Sequence, residues 1–381
     1  MQKWNISYLK ELYHNYYSLA CETVDPTISL EYESTANSIL DIIDRYDELT
    51  HTKRCFSKKG ERANFRHIIE DDFSIIDRYG IYCPYIREIN EIGKSLIIKP
   101  NDQLPTIDTS ISKILTVSKN FYSSIGGVFS KKYTLLSSRF KNTLFVNKLS
   151  PNITESGQTY SVYNTDITFT ELGVNKTAQD YITAIHEFGH GISCAINPLA
   201  MFDFGKYCFI ELESLFFEIL GVDYLRDKLD LEQDSFDISM QVLKDYIYSA
   251  QLICSKLNMY DNLTSGQLYD KKTVKKYLSI EEGYNSIGVK DVINTYMRDH
   301  FHYIISYLTA IELYIIYQSD KQLALDLLYK IINSKKEHSA GYLEYVKGLG
   351  LEPGKNFKKY LKILFDKARD LKDEKRLRYK N

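Results

Sequence analysis

The chain has 381 residues, 44% of them hydrophobic and 26% charged, enough for one large domain or two ordinary ones around a real core. Lys and Arg (48) nearly balance Asp and Glu (50), so no whole-molecule field directs the chain to nucleic acid or an acidic membrane surface. Cys21, Cys55, Cys83, Cys194, Cys208 and Cys254 form no CxxC pair, and no apolar run reaches the length of a signal peptide or membrane span. This excludes a disulfide scaffold and a cysteine-type zinc finger, and a reducing, cytoplasmic location is expected.

Seven prolines and 18 glycines leave room for long helices. The pattern is helical over 29–49, where Leu30, Ile39, Leu40 and Ile43 recur at helical spacing, and again over 72–98 and 109–136. A helical N-terminal region over 1–141 is therefore expected. The texture changes near Asn142: 143–149 and 159–172 are rich in Thr, Val, Tyr and Phe, with a turn-prone stretch at 150–157 between them. These predict a small β-sheet or hairpin. After Gly173 the pattern is helical almost to the end, and the basic stretch 356–381 reads as the solvated face of a terminal helix. The second region, 142–381, is thus mainly α with a small β-sheet. With 32 tyrosines in the chain, a tyrosine stripe alone is weak evidence.

The segment TAQDYITAIHEFGHGISCAI, 177–196, carries the chemistry. Thr177 followed by Asp180 suits a capping-box helix start. Ile182, Ile185, Gly189, Ile192 and Ile196 form a packing face. His186 and His190 lie four apart, so both imidazoles reach toward one metal ion, with Glu187 beside them to accept a proton from activated water. A catalytic zinc takes three protein ligands. Cys194 continues the series but lies about 12 Å of helix rise from His186, too far for one ion. The third ligand must come from another element.

The run FIELESLFFEILGV, 209–222, is apolar nearly all round and predicts a deeply buried helix, yet it holds three glutamates. Buried carboxylates need partners or a metal. Glu211, Ser214 and Glu218 form one polar stripe at i, i+3, i+7, and Glu213 is expected to point elsewhere. Either Glu211 or Glu218 can be the ligand, with the other orienting an imidazole.

Asp180, Thr183, His186, Glu187, Gly189 and His190 together resemble the metal helix of the M3 zinc peptidases, the oligoendopeptidase F and thimet oligopeptidase group. Glu211 to Glu218 fits that family's E-x-x-S-x-x-x-E helix. The run EHSAGYLEYVKGLG, 337–350, is similar to a C-terminal motif of bacterial members through Ser339, Glu344, Lys347 and Gly350. RDHFHYIISYLTA, 298–310, looks like the family's His-and-Tyr helix facing the metal, with His300, Tyr303 and Tyr307 on one face and His302 off it. The resemblance covers about 145–364.

It implies a gluzincin-type helical fold, one zinc ion per chain, and Glu211 as third ligand beside His186 and His190. It implies Glu187 as general base, and His300 with Tyr303 or Tyr307 as donors to the oxyanion. Ser214 and Glu218 become supporting groups around the ligands. The implied activity is hydrolysis of oligopeptides within the chain, with a peptide as the partner and neither nucleic acid nor membrane. Strand 157–169 is placed to pair with an extended peptide. The chain departs from the family in a shorter His190–Glu211 gap, in Glu337-His338 where Gly-Gly is usual, and in a shorter helical region upstream. The last implies a more open cleft. Alternatives are a dedicated processor of one substrate, a zinc carboxypeptidase, or a peptide-binding protein on the same fold.

Overall fold

Sparse prolines and apolar residues at helical spacing give a chain of helices interrupted by one small sheet. The computed structural model describes residues 5–50, 65–95, 104–137, 143–146, 157–199, 211–281, 289–334 and 339–378. Helices α1 (Ile6–Glu22), α2 (Pro26–Thr50), α3 (Phe65–Tyr79), α4 (Cys83–Ser95), α5 (Ile111–Ile125) and α6 (Gly127–Ser137) come first. Strands β1 (Thr143–Val146), β2 (Gly157–Ser161) and β3 (Thr168–Gly173) follow. Then come α7 (Gln179–Ile196), α8 (Leu212–Leu229), α9 (Glu232–Asn262), α10 (Ser265–Leu268), α11 (Lys271–Glu281) and α12 (Val289–Asn294). Helices α13 (Arg298–Tyr317), α14 (Lys321–Ile332), α15 (Ser339–Gly348) and α16 (Phe357–Arg378) complete the described chain. The fold is mainly α with a small sheet packed on α7, as the sequence predicts.

Three expectations need correction. The helix expected over 72–98 is broken by a 3-10 turn at Gly80–Tyr82. The helix expected over 109–136 divides at Gly126 and Gly127, whose φ values of 80° and 60° lie outside any right-handed helix. The run 159–172 is two strands, because Asn164 (φ 54°) turns the chain between them. β2 pairs antiparallel with β3, and β1 joins β3 in parallel, giving the order β1-β3-β2. The expected 150–156 turn and residues 147–149 lie outside the described residues.

The main core gathers α5 to α9, α13, α14 and α16, with Phe121, Tyr122, Ile185, Phe216, Phe217, Leu308 and Ile311 among its fully buried side chains. α1 and α2 form a smaller core with the sheet through Leu9, Ile39, Ile42, Val162 and Phe169. Arg45 of α2 fixes this layer by hydrogen bonding both carboxylate oxygens of Glu171 on β3, at 2.9 and 3.3 Å.

The start of α13 is set from a distance. Asp72 of α3 is fully buried and accepts hydrogen bonds from Lys256 and Tyr260 of α9 and from the Met297 N–H, the last at 2.7 Å. Lys256 is 1% exposed, so neither charge has water to fall back on. Removing one partner strands the other in the core. Asp72→Ala or Lys256→Met is expected to destabilise the fold by about 3–5 kcal/mol. Chemical denaturation checks this: a loss below about 1 kcal/mol would mean that the pair holds nothing in place.

Candidate metal centre

Helix α7 does not begin as a capping box. Ala178 occupies the cap position with no side-chain bond. Instead the buried Asp180 carboxylate turns back to accept from the Asn175 and Lys176 N–H groups, at 3.0 and 2.8 Å, and from the Thr109 hydroxyl at 2.6 Å. A carboxylate in the first turn suits the positive end of the helix dipole. Further along, the Tyr122 hydroxyl of α5 donates to the Ile185 carbonyl, and the Thr159 hydroxyl of β2 donates to the Glu187 carbonyl at 3.0 Å. The turn bearing His186 and Glu187 is thereby held from two sides.

Gly189 explains how a second helix comes so close. A Cβ built there would sit 3.1 Å from the Ser214 Cα and 3.3 Å from Phe217, so any side chain would push α8 away from α7. With hydrogen at this position, the start of α8 reaches the histidines. Glu211 stands at its cap, and one of its oxygens, Oε2, lies 3.1 Å from His190 Nε2 and 3.4 Å from His186 Nε2. One donor atom from each of His186, His190 and Glu211 falls within 4.8 Å of the others. Ligands bound at about 2.0–2.1 Å around a tetrahedral ion stand roughly 3.4 Å apart, so these spacings fit a metal ion with little adjustment.

The far nitrogens of both rings also face carboxylates. Glu218 Oε2 lies 3.0 Å from His186 Nδ1, as the stripe predicts. Glu213, expected to point elsewhere, places Oε1 3.2 Å from His190 Nδ1. That expectation fails because two successive turns of α8 face the two histidines, Glu213 meeting His190 and Glu218 meeting His186. The Ser214 hydroxyl lies within 3.2 Å of both His190 ring nitrogens. Each imidazole therefore aims Nε2 at the shared centre and donates Nδ1–H to a carboxylate, the arrangement that fixes the tautomer of a metal-binding histidine.

The electrostatics favour a cation at the centre. Burial works against an imidazolium at His186, but hydrogen bonds to Glu211 and Glu218 outweigh it and raise its pKa to about 10. His190 is likewise raised well above the usual range, burial being overcome by Glu211 and Glu213. The Glu211 carboxyl, although burial opposes ionisation, is held well below the usual range by the two histidines. Glu187, 6% exposed, has an Oε2 that no group among the described residues satisfies, and burial raises its pKa.

A cleft of about 740 Å³ opens onto this centre, lined by His186, Glu187, Glu218, Gly157 of β2, and residues of α9 and α13. Gly157 sets one wall tight against the glutamate. A Cβ there would meet Glu187 Cγ at 2.8 Å and Thr183 Cγ2 at 2.7 Å. Gly157→Ala is expected to cut any Glu187-dependent activity by up to about 100-fold, the effect of misplacing a reacting group by about 1 Å, with metal content unchanged. Equal activity in the variant would show that β2 moves freely at this contact.

The four candidate groups on α13 separate. His300 and Tyr303 line the cleft, and Ser249 of α9 lies 2.8 Å from His300 Nδ1. Tyr303 is 39% exposed. Tyr307 is 1% exposed, stacks on Tyr246 with ring centroids 3.8 Å apart, and borders a separate small cavity with Tyr314 and Tyr360. α13 dives from the cleft into the core, so sharing a helical face does not mean sharing an environment. His302 donates Nδ1–H to the Arg298 carbonyl at 2.7 Å, and the charge of Glu211 acts on it. Burial lowers the pKa of both His300 and His302, which keeps them neutral donors near pH 7. Tyr246, absent from the sequence expectations, lines the cleft within the field of Glu218 and Glu211. Its place in a 31-residue helix gave no local signal.

No protein-family model matches the chain, and no curated protein does. Solved structures do match. A structure assigned as an oligoendopeptidase F superposes with a TM-score of 0.53 at 13% identity, covering 96% of this chain and 66% of that one. PZ peptidase A with an inhibitor gives 0.51 at 12%, covering 91% and 72%. A structure assigned as a peptidase from Chlamydophila abortus gives 0.51 at 14%, covering 96% and 63%. The chain thus has the helical fold of these peptidases and spans about two thirds of their length. No helix among the described residues is long and apolar enough to cross a membrane.

Proposed function

We propose that this chain is a zinc-dependent peptidase that hydrolyses internal bonds of oligopeptides, with the ion held by His186, His190 and Glu211. The observation that carries the reading is a single Glu211 oxygen within 3.4 Å of both imidazole Nε2 atoms, beside a buried Glu187 oxygen that has no partner among the described residues. The shared fold with proteins named as peptidases supports it.

Bound there, a zinc ion lowers the pKa of a water molecule and polarises a carbonyl. The chain's own residues do the rest. Glu187 takes the proton of the attacking water at Oε2 and hands it to the leaving amine. His300 and Tyr303, from the α13 wall, donate hydrogen bonds to the carbonyl oxygen as it gains charge. Glu213 and Glu218 hold the two rings in register. β2 lies at the edge of the described sheet, with Gly157 at the cleft, and can pair with an extended peptide as an added strand.

Mass spectrometry of a mixed peptide library tests the reading, using zinc-loaded and chelated protein. Internal cleavage that disappears on chelation is expected. Release of single C-terminal residues would make the enzyme a carboxypeptidase, and products from one sequence alone would make it a dedicated processor. An uncut library with zinc bound would leave a peptide-binding protein.

A further inference from the structure

A neutral imidazole carries one ring proton, and what it can do in a cleft depends on which nitrogen holds it. The partner of one nitrogen decides the state of the other. Ser249 of α9 places its hydroxyl oxygen 2.8 Å from His300 Nδ1, and both residues line the cleft. Among the described residues this is the hydrogen bond of the His300 ring, so Nε2 has no protein partner there. Tyr248, one residue before the serine, meets the same ring edge-on with centroids 6.4 Å apart.

A serine hydroxyl can donate or accept, so its own surroundings set the direction. Elsewhere in the helices of this chain, buried hydroxyls give their hydrogen to the carbonyl four residues back. Ser118 donates to Ile114, Ser239 to Ser235 and Thr309 to Ile305. Ser249 sits in the middle of α9 and makes no such bond; among the described residues its hydroxyl meets His300 alone. Its hydrogen is therefore placed for Nδ1. The neighbouring histidine is set the opposite way. His302 Nδ1 lies 2.7 Å from the Arg298 carbonyl, which can only accept, so that neutral ring holds its proton on Nδ1. Burial keeps both rings neutral.

Resting on the peptidase reading, we infer that Ser249 is a positioning residue: its hydroxyl donates to His300 Nδ1 and so keeps the ring proton on Nε2, ready to donate to the carbonyl oxygen of a peptide. The same geometry separates the two histidines of α13, since His302 has its Nδ1 proton tied to its own helix.

Nitrogen-15 NMR of histidine-labelled, zinc-loaded protein without peptide reads the tautomer, with the His300 signals assigned by their loss in His300→Ala. The proton is expected on Nε2, and Ser249→Ala is expected to move the bare Nδ1 signal downfield as its donor is lost. Alanine suits a helix interior, so this variant should fold. In peptide hydrolysis, Ser249→Ala is expected to lower kcat about tenfold with KM little changed. That is less than the roughly 10²–10³-fold loss expected on removing the donor itself with His300→Ala. Ser249→Thr, which keeps a hydroxyl, is expected to recover most of the activity. The double variant Ser249→Ala/His300→Ala is expected to be no slower than His300→Ala, because the serine acts only through the ring. A proton on Nδ1 of His300 in the unaltered protein would overturn the assignment. So would losses that multiply in the double variant. An Nε2 proton that depends on Ser249, in a protein that cuts no peptide, would support the serine's hold on His300 and remove the peptidase reading.

Discussion

Glu187→Gln is expected to abolish nearly all peptide cleavage, a loss of about 10²–10⁴-fold in kcat, while zinc content stays at one per chain. The substitution keeps size and shape and removes only the ability to take a proton. Glu187 is not one of the three converging donors, so the ion should stay. Its Oε2 has no protein partner among the described residues, and burial raises its proton affinity above that of an ordinary carboxylate. Steady-state kinetics with metal analysis on the same sample checks this. Turnover at the unaltered rate would remove Glu187 from the mechanism.

Glu211→Ala is expected to weaken zinc binding by far more than Glu213→Gln or Glu218→Gln. The latter two remove partners that aim the imidazoles, which costs about 10–100-fold in affinity. Glu211 is different: one of its oxygens faces both Nε2 atoms, so its loss leaves two ligands where a catalytic zinc needs three. Competition against a chromophoric chelator gives the order directly. A larger loss from Glu218→Ala than from Glu211→Ala would move the third ligand to Glu218.

How much of this site was legible in the sequence varies with how local each signal is. The pair His186 and His190 needs only the helical repeat, which the structure keeps. The third ligand was narrowed to Glu211 or Glu218 because a buried apolar helix cannot leave carboxylates unpartnered, but the choice between them depends on how α7 and α8 meet. That contact is set by Gly189. The role of Glu213 is not legible in its own helix, because it depends on how α7 lies across α8: His190 meets Glu213 and His186 meets Glu218, so the order of the pairs is reversed between the two helices.

The same gap explains the tyrosines and the strands. His300, Tyr303 and Tyr307 do share a helical face, yet nothing in α13 alone says where the cleft ends and the core begins. Tyr246 enters only because α9 crosses the cleft. In the sheet, residue types marked β-structure correctly, but a run of Thr, Tyr and Phe hid the turn at Asn164, and parallel pairing of β1 with β3 depends on a distant register.

X-ray absorption at the zinc edge of the loaded protein tests the central claim most directly. The account predicts one ion per chain with two imidazole nitrogens at about 2.0–2.1 Å and oxygen ligands at about 2.0–2.2 Å, and loss of one imidazole in either His186→Ala or His190→Ala. A shell of sulfur near 2.3 Å, or zinc whose spectrum is unmoved by both variants, would contradict it.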